Sequence, residues 1–334
     1  MNIGLIGCGR IADIHAQIYN AGRDAKLVAV CDENLEKARP FATRNRVERY
    51  FQDYLDLIEM KNLDFVDVCT PTSTHALIAI DCIKSGLDVL IEKPMALHSK
   101  ECAEIISEAN KHDARVCVCH NQIFFPSIRR VKALIDQHAG GLLSFKTFIK
   151  EDGALFPSWT TTASEGGVLW EAGYHLAYLH LFFLKQVEEV FAMGQKVKYP
   201  VHDNFSVLLK TGSQSYGIIE LSWAAKEMEK FYEFDMADGR RIQIDPNSDY
   251  LLDAPPKIVD AALFKTRLVF SAHLPSRFTR QYYRGHFLLL NSFMNSLKND
   301  LPMPVSLTEG MRTVQLLESI QESLDGKNIA RVAS

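Results

Sequence analysis

The 334-residue chain has no surplus of basic residues, no long apolar run and no cysteine beyond position 119. Lys+Arg number 37 against Asp+Glu 41, a formal net charge of −4, so there is no basic footprint for nucleic acid or an anionic membrane surface. The longest charge-free apolar stretch, Ala172–Leu184, is 13 residues, short of the roughly 20 that cross a bilayer. Met1 runs into Ile3-Gly4-Leu5-Ile6 with no basic segment, so no secretory leader is expected. These absences predict a soluble cytoplasmic protein with no nucleic-acid or membrane partner. The seven cysteines are odd in number and sit mostly in apolar runs, which predicts buried free thiols. Cys117-Val118-Cys119-His120 alternates as a strand does, and no second ligand pair at zinc-like spacing follows. No metal is therefore expected.

What is present is ordinary globular material: 47% hydrophobic and 23% charged residues over a length that suits about two domains. Short continuous apolar runs occur at Ile3–Ile6, Leu27–Cys31, Phe65–Cys69, Val89–Ile91 and Val116–Cys119, the pattern of strands covered on both faces. Helical patterns lie between them at Ile11–Tyr19, Leu35–Thr43, Thr74–Lys84 and Lys100–Lys111, with Gly86 placed to end the third. Repeated β-α units predict a doubly wound parallel sheet, a Rossmann-type α/β domain over 1–121.

After about residue 140 the rhythm changes. One long helix is predicted over Leu169–Leu184, then strands at Val187–Tyr199, Phe205–Thr211, Ser215–Trp223, Phe231–Ala237 and Arg241–Asp245. Asp238-Gly239 is a hairpin turn between the last two. Two helices, Tyr283–Lys298 and Thr308–Ser323, follow. This predicts an α+β domain over 122–334 with an open, mainly antiparallel sheet, its last helices packing back on the first domain.

Gly7-Cys8-Gly9-Arg10-Ile11-Ala12 follows the first strand and opens the first helix. In such a G-x-G-x-x-A turn the first glycine bends the chain, the second lets a pyrophosphate approach, and the alanine keeps helix and sheet close. Asp32 stands at the end of the second strand, where a carboxylate accepts ribose hydroxyls, and no Arg follows to receive a 2′-phosphate. NAD is favoured over NADP. Two more loops end strands on the same side of the sheet, Thr70-Pro71-Thr72-Ser73-Thr74-His75 and Glu92-Lys93-Pro94. Pro94 permits a cis peptide that would aim Lys93. Further on, Glu171 and His175 are four apart, hence on one face of the predicted helix, where a carboxylate orients an imidazole. Histidine suits proton removal from an alcohol near neutral pH.

This combination resembles the Gfo/Idh/MocA family of NAD(P)-dependent oxidoreductases, most densely from Met1 to Asn121 and through the T-P-x-x-x-H and E-K-P blocks of Thr70–Pro94. The resemblance implies that Lys93 and His175 form the catalytic pair, with Glu171 behind His175. It implies cofactor contacts from Gly7, Gly9, Arg10, Ile11, Ala12, Asp32, Thr70, Pro71, Thr72, His75, Glu92, Lys93 and Asn121. Lys93, Asn121, Trp159, Tyr174 and His175 are the implied substrate contacts. Two positions depart from the family's pattern: Glu171 stands for its usual Asp, and Tyr178 replaces an Asp three residues after the histidine. Tyr178 removes a carboxylate that commonly binds substrate hydroxyls, while Trp159, Trp170 and Tyr174 offer apolar stacking surface.

The expected activity is hydride transfer between a sugar or cyclitol hydroxyl and NAD. The alternatives are an NAD-dependent glycoside hydrolase of the same family and a non-catalytic NAD- or sugar-sensing protein. Ser215–Leu221 carries apolar groups on both faces, so a homodimer or homotetramer through the second sheet is expected.

Overall fold

The computed structural model describes residues 1–22, 24–137, 141–246, 251–254 and 275–333. They divide into one unit of Met1–His120 with His286–Val314 and another of Asn121–Gly285 with Gln315–Ser334.

The first unit is built on β1 (Asn2–Ile6), β2 (Lys26–Cys31), β3 (Arg49–Phe51), β4 (Phe65–Val68), β5 (Asp88–Ile91) and β6 (Val116–Val118). Their order is β3-β2-β1-β4-β5-β6 and every pairing is parallel. Helices α1 (Arg10–Ala21), α2 (Leu35–Asn45), α3 (Tyr54–Ile58), α4 (Thr72–Lys84) and α5 (Ser99–His112) alternate with the strands. All four residues of β4 are buried, as strands covered on both faces require, and the one charged member, Asp67, is met by His15 Nδ1 and the Tyr19 hydroxyl. The strand order reverses between β1 and β4, and such a switch point opens a crevice at the carboxyl ends of the strands. Edge strand β3 was not foreseen, because Arg49-Tyr50-Phe51 is short and exposed and so lacks the signature of a covered strand.

The second unit begins with α6 (Pro126–Gln137) and β7 (Leu142–Asp152), followed by α7 (Tyr174–Leu184), β8 (Glu189–Gln195), β9 (Asn204–Lys210), β10 (Tyr216–Ser222), β11 (Ala224–Met236), β12 (Arg241–Ile244) and β13 (Leu251–Ala254). Helices α8 (Pro275–Asn299) and α9 (Leu307–Gly326) precede the last strand, β14 (Ile329–Arg331). The sheet runs β13-β12-β11-β7-β10-β9-β8-β14. Among the described residues, only β7 and β10 of this sheet pair in parallel; the other pairings are antiparallel. The Asp238-Gly239 hairpin forms as expected, with Gly239 at φ +85°.

Central strand β7 escaped the sequence because it is one-sided: Phe145, Thr147, Ile149 and Glu151 are buried while Lys146 and Lys150 alternate with them. Lys146 is neutralised by Glu233 Oε1 at 2.9 Å and Asp235 Oδ2 at 2.7 Å on β11. Helix α7 packs on the inner face of this sheet. Gly217 leaves room there, since a Cβ would lie 2.6 Å from His180 Cδ2. Phe145 stacks on Phe234 at 4.5 Å, with Phe183 beside both, and each such buried ring contributes about 2–3 kcal/mol.

The expectation of one α-helix from Leu169 is corrected. Leu169–Gly173 is a π-helical stretch, and α7 proper starts at Tyr174. Gly166 and Gly167 precede it at φ +78° and +67°, and a Cβ on Gly166 would strike the Trp170 ring at 2.3 Å. Glu171 lies half-buried inside this π-helical stretch, and His175 follows four residues on in the first turn of α7.

Candidate active site

The first unit supplies a dinucleotide cradle. Gly7 has φ +95°, and a Cβ there would lie 2.6 Å from the Cys69 carbonyl oxygen at the end of β4, so only glycine fits. Nothing lies within 4 Å of where a Cβ on Gly9 would be, and no side chain caps α1. The first-turn N–H groups of α1 therefore stand over open space, the arrangement a pyrophosphate needs. Ala12 is buried, Ile11 half-buried and Arg10 exposed.

Asp32 accepts the Cys8 N–H through Oδ2 at 2.9 Å and the Asn34 N–H through Oδ1 at 3.0 Å. It thus ties the glycine loop to the end of β2. Burial, reinforced by Asp32, pushes the Cys8 thiol up to about 12, so this loop carries no thiolate that would repel phosphate.

Thr70 is half-buried and Pro71 exposed, and Thr72 begins α4. His75 is buried with Nδ1 2.7 Å from the Pro94 carbonyl and Nε2 2.8 Å from the Thr70 carbonyl. It clips two strand-end loops together rather than presenting its ring to a ligand. The Lys93–Pro94 peptide is cis, and Lys93 is half-buried. Glu92 is only 4% exposed and faces His15 and His286. Burial raises its pKa, but the facing His15 and His286 more than offset this and hold it well below the usual carboxylate range.

The second unit carries His175, the candidate base. His175 is half-buried on the first turn of α7, and its Nδ1 lies 2.9 Å from the Tyr178 hydroxyl. The same hydroxyl accepts the Gln122 N–H at 3.0 Å and donates to Asn121 Oδ1 at 3.3 Å. Asn121 and Gln122 lie in a buried 3₁₀ turn (Asn121–Phe124), and Tyr232 donates to Gln122 Oε1 at 3.2 Å. In the sequence Tyr178 reads only as a lost carboxylate; it lies three residues beyond His175 on the same helix, and the Asn121 turn that orients its hydroxyl is marked by no spacing.

Tyr174 is fully buried, edge-on to Tyr178 at 5.8 Å, and Trp170 is 6% exposed. Both rings are packed inside this unit. Trp159 falls in a 3₁₀ turn (Ser158–Thr161), and its side chain lies outside the described residues. All seven cysteines are free and buried, as expected.

The glycine cradle, the uncapped helix and the strand order fit a dinucleotide. Residues 1–120 match the family described as "Oxidoreductase family, NAD-binding Rossmann fold", and residues 128–243 match the "GFO/IDH/MocA C-terminal domain". The chain belongs to the Gfo/Idh/MocA oxidoreductase family. Within this family, the chain is 27% identical over 346 aligned residues to myo-inositol 2-dehydrogenase of Thermotoga maritima, covering 99% of this chain and 98% of that protein. Inositol 2-dehydrogenase of Rhizobium meliloti is 24% identical, covering 100% and 99%. Among solved structures, levoglucosan dehydrogenase in complex with NADH and levoglucosan superposes with a TM-score of 0.84 at 20% identity, covering all of both chains. The chain is an NAD-binding oxidoreductase. Among the described residues, no helix is long and apolar enough to cross a membrane.

Proposed function

We propose that this protein is a dehydrogenase that oxidises one hydroxyl of a sugar or cyclitol. The observation that carries the reading is the bond between His175 Nδ1 and the Tyr178 hydroxyl. That hydroxyl has one proton and two lone pairs. Its proton goes to Asn121 Oδ1 and one lone pair takes the Gln122 N–H, an arrangement that suits a His175 Nδ1–H donating to the same oxygen. The tautomer this selects keeps the lone pair on Nε2, which is the base that accepts the substrate hydroxyl proton. Lys93 holds the developing alkoxide by its positive charge. NAD, when bound, accepts the hydride from the same carbon. Asp32 receives the ribose hydroxyls and disfavours a 2′-phosphate.

The substrate class follows from the cyclitol and anhydrosugar named for the relatives. Buried free thiols suit a reducing compartment, which supports a cytoplasmic location.

We also propose a homo-oligomer through the outer face of the second sheet. Ile329, Phe191, Leu208 and Ile218 pair in register across β14, β8, β9 and β10, forming an apolar row. Ile329 is 64% exposed and Leu208 48%, so the row calls for a cover, which a second copy supplies.

The deciding experiment incubates the enzyme and NAD with a panel of cyclitols, aldoses and anhydrosugars and follows NADH. Stoichiometric NADH with a ketone product is expected. Release of an aglycone from a glycoside without net NADH would replace this reading with the hydrolase.

A further inference from the structure

Glu92 sits in a cluster drawn from four places in the chain. His15 comes from α1, Glu92 follows β5, Cys119 follows β6, and His286 lies on α8. All four are buried, and their ligand atoms lie within 4.8 Å of one another. His15 Nε2 stands 3.4 Å from Glu92 Oε1, and His286 Nε2 stands 3.6 Å from the same oxygen.

An ordinary buried ion pair would close to about 2.8 Å and align its N–H with the carboxylate. These groups do not. His15 Nε2 and Glu92 Oε1 are buried polar atoms with no hydrogen-bond partner, although they face each other. Leaving such atoms unsatisfied is costly, whereas side chains that converge on a common point keep this spacing. Ligands around a tetrahedral ion at ~2.0–2.3 Å stand roughly 3.4 Å apart.

Behind the cluster, His15 Nδ1 bonds Asp67 Oδ2 at 2.8 Å, and the Tyr19 hydroxyl donates to the same oxygen at 2.7 Å. A carboxylate behind a ligating imidazole fixes its tautomer and directs the other nitrogen at the metal.

We propose that His15, Glu92, Cys119 and His286 form a structural zinc site. One thiolate, two imidazoles and one carboxylate suit a borderline-soft ion, whereas magnesium and calcium prefer all-oxygen sets. Four protein ligands close the coordination sphere, which marks a structural rather than a catalytic site. Zinc would replace the thiol proton of Cys119 and the proton on His15 Nε2, both released to solvent. The Cys119 thiolate and Glu92 carboxylate then balance the dication. Because Lys93 directly follows Glu92, the ion would brace the strand end that carries Lys93.

The test grows the full-length protein in zinc-supplemented and in cobalt-supplemented medium, then washes it with chelator before analysis. The zinc protein is expected to hold about one ion per chain by mass spectrometry of the elements. The cobalt protein is expected to show tetrahedral ligand-field bands and a thiolate-to-metal charge-transfer band. Cys119→Ser should abolish the charge-transfer band and His286→Ala should lose most of the metal, while Cys117→Ser, two residues from Cys119, should change neither. The wild-type spectra decide the matter even if a variant fails to fold. Wild-type protein holding less than about a tenth of an ion per chain, or a cobalt protein without the thiolate band, would overturn the proposal. The cluster would then be an ion network of His15 with Asp67 and Glu92.

Discussion

The Tyr178 hydroxyl lies 2.9 Å from His175 Nδ1 and at the same time accepts the main-chain N–H of Gln122 at 3.0 Å. A phenol stands where the family's pattern has a carboxylate, and it bonds the proposed base. The difference is one of charge: a carboxylate would stabilise imidazolium, whereas a neutral phenol fixes the ring's tautomer and direction.

Tyr178→Phe should therefore lower kcat by about 10- to 100-fold, less than removal of the base itself, with little change in KM. Tyr178→Asp should restore much of the rate and move the acid limb of the pH–rate profile upward, because the added charge favours imidazolium. Steady-state kinetics across pH decide this, and an unaltered profile in both variants would remove Tyr178 from its positioning role.

His175→Ala should cost ~10²–10⁴-fold in turnover and Lys93→Ala ~10²–10³-fold, from the usual contributions of a general base and of a single electrostatic donor. The double variant should lose less than the product of the two, since both act on one hydroxyl. Calorimetry should find NAD affinity unchanged by His175→Ala. Near-full turnover in that variant would return His175 to the status of a packed helix residue.

Isothermal titration should show NAD binding more tightly than NADP, and Asp32→Ala should narrow the gap. Because Asp32 also holds the Cys8 N–H, the same variant should weaken NAD binding itself. Equal affinities in the wild type would contradict the assignment.

Acid should destabilise the second unit through His180. Its ring nitrogens face the carbonyls of Leu176 at 2.8 Å and Phe145 at 3.2 Å. Burial outweighs both and brings its pKa down to about 4. An unfolded histidine titrates near 6.5, so between those values the unfolded chain binds a proton that the folded chain does not. Stability should fall as pH drops from ~6.5 to ~4, by an amount on the order of 3 kcal/mol. Urea titrations at several pH values should show a shallower slope for His180→Gln. Parallel slopes would dismiss the effect.

Light scattering should report a dimer or tetramer, and Leu208→Lys combined with Phe191→Glu should shift it towards a 37.7 kDa species without unfolding. A wild-type protein already monomeric at micromolar concentration would leave the apolar row to another role.

The amino-acid order alone determined the parallel sheet, because strands buried on both faces are written as short, predominantly apolar runs. It also disclosed the Gly7–Ala12 turn and Asp32, because a pyrophosphate turn is local and its residues are neighbours in the chain. It did not reveal β7, whose Lys146 is neutralised by Glu233 and Asp235 on β11, 87 and 89 residues later, so that its polarity concealed a central strand. The π-helical stretch before His175 was hidden as well, since apolar periodicity does not separate it from an α-helix. Only the tertiary structure decided what His175 and Glu92 face. His175 meets Tyr178 within its own helix, but Asn121 and Gln122 orient that phenol from a turn 57 and 56 residues earlier. Glu92 meets His15, Cys119 and His286 from three other elements. Hydrogen bonds and ion contacts of this kind require proximity in space, and separation along the chain carries no record of it.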